Sequence, residues 1–198
     1  MTKIVAFDLD DTLYDNVNEC FYNPKLLESI LYKLIQKNIH PIIVTARGNL
    51  EKIHAALDKA YGTKRTFFLD ADIYSPDRYE KSPKVPASGI SKVFMIEQAI
   101  EDYRGNRPDT DGRFQNADLL FTDNDPRELA AAKEAGYKIH QFKIIDDAPE
   151  KDFLNQLYSK ATSRNLLGRF FSCFQCCGHQ EKQLAEAKEK LISSANAP

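Results

Sequence analysis

Short, unbroken apolar runs alternate along this chain with longer stretches in which apolar side chains return every three or four positions. The runs at 4–7, 39–44, 66–69, 117–121 and 137–144 are rich in strand formers and predict five buried strands. Between them the period is helical. Asn23 and Pro24 predict a helix start, with Asn23 as its cap, and Leu27, Ile30, Leu31, Leu34 and Ile35 give one apolar face. A second helix over 50–60 turns Leu50, Ile53 and Leu57 inward and stops at Gly62. Ser91 caps a third, with Val93, Ile96, Ile100 and Tyr103 on one side. Asp125, Pro126 and Glu128 start a fourth, which runs through small residues to Gly136, and Phe153, Leu154 and Leu157 mark a last one. This alternation predicts an α/β domain: a Rossmann-like, doubly wound, mainly parallel five-stranded sheet with helices on both faces.

The interruptions set the domain organisation. Residues 13–17 form a polar turn, and 70–89 read as a long extended loop around Ser75-Pro76 and Ser82-Pro83-Lys84-Val85-Pro86. Neither is long enough for a large cap domain. Residues 103–116 are polar and turn-rich; Asp109, Asp111 and Gly112 lie as in a Ca²⁺ loop, but the closing acid is missing. The expected domain spans 1–160, and 161–198 form a separate helical tail. In that tail Leu166, Leu167, Phe170, Phe171 and Phe174 fall at helical spacing between Arg164 and Arg169, among Cys173, Cys176 and Cys177. Three readings stay open for it: a packing or dimerising helix, a peripheral membrane contact lipidated on Cys173, Cys176 and Cys177, and a zinc site that adds His179.

Composition narrows the classes. Of 198 residues, 42% are hydrophobic and 28% charged, ordinary for a globular chain. A net charge of −2 argues against a general nucleic-acid binder. No apolar run approaches a membrane span, and a chain that opens on a buried strand is expected to carry no leader. The cysteines give no disulfide framework for the main domain, so a reducing, cytoplasmic compartment is expected.

The chemistry concentrates where the first strand ends, at Asp8-Leu9-Asp10-Asp11-Thr12. Strand carboxyl ends are where ligands bind in open α/β sheets. Crowded carboxylates repel unless a cation lies among them, and oxygen ligands without His or Cys point to a hard ion such as Mg²⁺. The second strand ends in Thr45-Ala46-Arg47-Gly48, and the fourth runs into Thr122-Asp123-Asn124-Asp125. Three strand ends thus deliver polar groups to one edge. Asp125 suits a helix cap better than a ligand.

The DxDxT pattern after an apolar strand resembles the first motif of the haloacid dehalogenase (HAD) superfamily, in its capless phosphatase form. The likeness covers about residues 3–145. It implies Asp8 as nucleophile, forming an aspartyl-phosphate, and Asp10 as general acid and base. Thr45 corresponds to the second motif, which hydrogen-bonds the phosphoryl group, and Lys92 to the third, whose ammonium neutralises phosphate and nucleophile. Lys81 and Lys84 compete with Lys92 for that role. Mg²⁺ would be held by Asp8, the Asp10 carbonyl and Asp123. The usual adjacent acid pair of the fourth motif is broken here by Asn124, which suits a supporting hydrogen bond. Asp11, Arg47 and Asn124 are candidate substrate contacts; Arg47 suits a phosphate, a leaving group or a solvated loop.

The expected activity is a Mg²⁺-dependent phosphomonoester hydrolase. An open site implies a phosphorylated protein as substrate, with phosphotyrosine favoured. A small-molecule or nucleotide phosphatase and a silent HAD-fold binding protein are the alternatives. The tail suggests, beyond this, an effector delivered by a bacterium into a host cell.

Overall fold

The computed structural model describes residues 2–79, 89–106, 114–145, 148–149 and 152–163. In chain order the elements are β1 (Ile4–Phe7), β2 (Tyr14–Asp15), β3 (Cys20–Phe21), α1 (Pro24–Gln36), β4 (His40–Val44), α2 (Leu50–Tyr61), β5 (Ile73–Tyr74), α3 (Lys92–Gly105), β6 (Leu119–Asp123), α4 (Pro126–Glu134), β7 (Lys138–Gln141), β8 (Ile144–Ile145), β9 (Ala148–Pro149) and α5 (Phe153–Thr162). Five of the strands make one parallel sheet in the order β5-β4-β1-β6-β7. The chain winds outward from β1 to β5, crosses back through α3, and winds outward again to β7. The reversal lies between β1 and β6, the place where ligands bind in such sheets.

β1 is apolar without a break because both of its faces are covered. Val5 and Phe7 pack with Ile43, Leu120 and buried residues of α1, α2 and α5. Ile4 and Ala6 face the other way, onto Ile42, Val44, Phe121 and the buried side of α3 and α4. All four β1 residues are fully buried.

The fold class is the expected one, but several local expectations change. Residues 66–69 form no strand. Phe68 has φ of 51°, which breaks an extended chain, and Phe67 and Phe68 enter the same core cluster. In a strand, neighbouring rings would point to opposite faces. The third strand of the sheet is instead Ile73–Tyr74, which pairs with Ile43 and Val44. Asn23 does not cap α1 through its side chain; its backbone is left-handed (φ 45°, ψ 58°). Ile35 lies on the exposed side of α1. β6 starts at Leu119, after a single turn at Asn116–Asp118, and β7 is shorter than the apolar run around it. The polar turn after Thr12 holds an antiparallel hairpin, β2–β3.

Residues 1–162 form one compact unit. α5 runs to Thr162 and buries Ala161, so the helix passes the expected boundary at 160 by two residues. The cysteines and His179 of the tail, Lys81, Lys84, Asp109 and Asp111 lie outside the described residues. Among the described residues no helix is long and apolar enough to cross a membrane.

Candidate active site

β1 and β6 are neighbours with Phe7 level with Thr122, so Asp8 and Asp123 leave the sheet side by side. The Asp8 amide donates to the Thr122 carbonyl (2.9 Å), which carries the pairing one residue further. Both carboxylates are buried, Asp8 at 2% exposure and Asp123 at 0%. Between them stands Lys92, the first residue of α3. Its Nζ donates to Asp8 Oδ1 (2.8 Å) and to Asp123 Oδ2 (2.7 Å).

Burial pushes the Asp8 carboxyl up to about 7; Lys92 opposes the rise and Asp123 adds to it. Burial would lower the Lys92 ammonium, but the Asp8 charge and its bonds to both carboxylates outweigh this and raise it. Two buried carboxylates thus face one ammonium, and burial opposes the second charge unless a cation joins them. That imbalance, in an all-oxygen donor set, suits a hard divalent cation. Among the described residues no group of three or more His, Cys, Asp or Glu side chains converges as a cage. A cation here would have Asp8 and Asp123 as its side-chain ligands and would complete its shell with other oxygens, such as water or substrate, as Mg²⁺ commonly does.

Thr12 binds the two acid-bearing segments together. Its hydroxyl donates to Asp8 Oδ2 (3.0 Å) and accepts from the Asn124 amide (3.1 Å). Asn124 Oδ1 lies 3.4 Å from the same hydroxyl. Asp123 Oδ1 accepts from the Asp125 amide (2.8 Å). Asp125 caps α4, accepting from the Arg127 amide (2.8 Å). The Arg127 side chain and amide hold its carboxyl down at about 2.

β4 brings Thr45 and Arg47 to the same edge. Thr45 is fully buried, and its hydroxyl accepts from the Arg47 amide (3.1 Å), which leaves its own proton to donate. The Arg47 guanidinium bonds Asp10 Oδ1 and the Asn16 side-chain carbonyl, and lies 5.2 Å from the centre of the Tyr14 ring. Asp10 is part-exposed at the rim. Asp11 turns the chain (φ 54°), and its carboxylate accepts from Asn16 Nδ2 (3.1 Å). Its side chain thus shapes the hairpin.

No family model and no curated protein matches this chain. Among solved structures it is similar to the N-terminal part of a Bacteroides fragilis protein containing a phosphatase domain, complexed with Mg, at 16% identity and a TM-score of 0.47. That match covers 81% of this chain and 40% of the other. An uncharacterized Corynebacterium glutamicum protein matches at 11% identity and a TM-score of 0.48, over 83% of this chain and 98% of that one. The 3-deoxy-D-manno-octulosonate 8-phosphate phosphatase of Moraxella catarrhalis, in complex with magnesium, phosphate and its KDO molecule, matches at 17% identity and a TM-score of 0.40, over 87% and 93%.

The structure brings Asp8, Lys92, Thr12, Asp123 and Asn124 into one connected network, with Asp10 and Arg47 joined at its rim. Thr45 meets the network through the Arg47 amide. Sequence reasoning missed Thr12 as a link, and Tyr14 and Asn16 as partners of Arg47. The turn-rich run Asp15-Asn16-Val17-Asn18 held the signal for a hairpin, since Asp15 accepts from the Val17 amide (2.8 Å) and the Asn18 amide (2.9 Å).

Proposed function

We propose that this chain is a Mg²⁺-dependent phosphomonoester hydrolase of the HAD type, with a phosphoprotein substrate and phosphotyrosine favoured. One observation carries the reading: two buried carboxylates, Asp8 and Asp123, converge on one lysine at the reversal of a parallel sheet. An Asp8 carboxylate oxygen attacks phosphorus, and the bond to the leaving oxygen breaks as Asp10 gives that oxygen a proton. Asp10 then takes a proton from water as the water attacks the aspartyl-phosphate, releasing phosphate and restoring Asp8. Lys92 neutralises charge on Asp8 and the phosphoryl oxygens, and Thr45 donates to one of them. Thr12 holds Asp8 in line. Bound Mg²⁺, held by Asp8, Asp123 and the Asp10 carbonyl, would offset phosphoryl charge.

The rim supports a large substrate. Between β1 and α1 there is only the small hairpin, whose tip residue Val17 is 89% exposed. Nothing in that segment is large enough to close over the site as a domain. We extend the proposal to the tail as a peripheral membrane contact, to be tested by flotation with anionic vesicles.

The test is hydrolysis of p-nitrophenyl phosphate with and without Mg²⁺, beside Asp8→Asn and a panel of phosphotyrosine, phosphoserine and nucleotides. Mg²⁺-dependent turnover that falls at least about a thousandfold in Asp8→Asn is expected. Turnover retained in that variant would remove Asp8 as nucleophile. Preference for a nucleotide would replace the phosphoprotein with a small substrate.

A further inference from the structure

Arg47 has two ready roles, a phosphate ligand or a solvated loop charge, yet its guanidinium is already committed elsewhere. It bonds Oδ1 of Asp10 and the Asn16 side-chain carbonyl, and it covers the Tyr14 ring at 5.2 Å. Among the described residues, Arg47 is the one hydrogen-bond partner of the Asp10 carboxylate, and Oδ2 carries none. Asn16 and Tyr14 belong to the β2–β3 hairpin, whose base packs on the core through Phe21 and Tyr14. Phe21 is buried and meets Tyr14 edge-on at 5.2 Å and Tyr61 of α2 at 5.3 Å. The Tyr14 and Tyr22 amides donate to the Leu9 and Leu13 carbonyls, both at 2.9 Å. Asp10 itself sits on the turn between them, part-exposed, with no other side-chain hydrogen bond among the described residues.

We infer that Arg47 is a positioning residue: it ties the Asp10 carboxylate to the β2–β3 hairpin and so aims the oxygen that carries the proton to the leaving group. The inference rests on the phosphatase reading for its kinetic consequence and on geometry alone for the coupling. A carboxylate on an exposed turn samples several rotamers, and a planar donor that also bonds Asn16 and covers Tyr14 reduces that freedom. General acid catalysis matters most when the leaving group is a poor one.

The experiment measures kcat/KM for aryl phosphates of graded leaving-group basicity, from 2,4-dinitrophenyl to phenyl phosphate, in wild type, Arg47→Ala, Arg47→Lys and Asn16→Ala. The expected result is a steeper dependence in Arg47→Ala: about a tenfold or greater loss on phenyl phosphate and less than about twofold on 2,4-dinitrophenyl phosphate. Arg47→Lys should recover part of the loss, and Asn16→Ala should show a smaller one with the same slope change. A uniform loss across the series would make Arg47 a phosphoryl ligand, and no loss would make it a surface charge; either overturns the inference. The ¹³C resonance of the Asp10 carboxylate gives a second, activity-independent arm. Asn16→Ala should shift it in the wild-type background and leave it unmoved in Arg47→Ala, a coupling in the sense of a double-mutant cycle. Equal shifts in both backgrounds, or none in either, would overturn the tie. A wild type that hydrolyses no substrate, with the resonance coupling intact, would defeat the phosphatase reading and leave the tie standing.

Discussion

Lys92 shows how one side chain can hold a site together. A helix start disfavours a cation, and burial disfavours a charge. Its place at the first position of α3 is sustained by the two carboxylates that receive its protons. Lys92→Met would keep the volume and leave Asp8 and Asp123 buried together without a counter-charge. Removing one partner of a buried pair costs about 3–5 kcal/mol. We expect a loss of that order in urea melts at neutral pH with EDTA, together with loss of turnover. A variant as stable as wild type would mean that the two acids are not charged together in the folded state. At this scale the sequence located Asp8, Asp10 and Asp123, because apolar runs place strand ends and acids follow those runs; Lys92 was named only from a family resemblance at a helix start. It was silent on Thr12 and Asn16, whose partners are set by how segments distant in sequence or turned on themselves meet.

Elements deliver these residues. α3 carries Lys92 at its N-terminus, so the Ser91 cap, which accepts from the Phe94 amide (3.1 Å), also fixes where the ammonium begins its reach. Ser91→Ala should cost about 1 kcal/mol in stability and lower kcat more than KM. An unchanged kcat with the expected fall in melting temperature would confine the cap to stability. Helices were the legible elements, since their caps and periodic faces are local. The miss at 66–69 has a physical cause. Phe67 and Phe68 are strand-like in type, but the left-handed turn at Phe68 sends both rings into one cluster, and the strand forms later at Ile73–Tyr74, where β4 offers unpaired backbone. Edge pairing of two residues leaves almost no periodic trace.

For the whole molecule, the charge imbalance between β1 and β6 predicts that Mg²⁺ stabilises the folded chain. A ligand that binds only the native state adds about 2.7 kcal/mol at a hundred times its Kd. Melting curves should rise with Mg²⁺, and Asp123→Asn should remove most of that rise. A melting temperature indifferent to Mg²⁺ would place the cation elsewhere or nowhere. The compact unit ends at Thr162. Deleting 164–198 should therefore leave turnover on a soluble substrate within about twofold, while a cut at 160, which removes buried Ala161, should lower stability as well. Equal behaviour of the two truncations would show that the last turn of α5 contributes nothing.

Sequence alone determined the class of fold and where its acid cluster lies. Unbroken apolar runs need cover on both faces, and an acid cluster directly after such a run must lie at a strand's carboxyl end. Tertiary structure decided the rest. The order of the strands puts β6 beside β1 and so Asp123 beside Asp8. The reach of α3 sets Lys92 between them, and the hairpin after Thr12 gives Arg47 its hold on Asp10. Each of these depends on which segments become neighbours, and long-range pairing is set by the packing of the whole core.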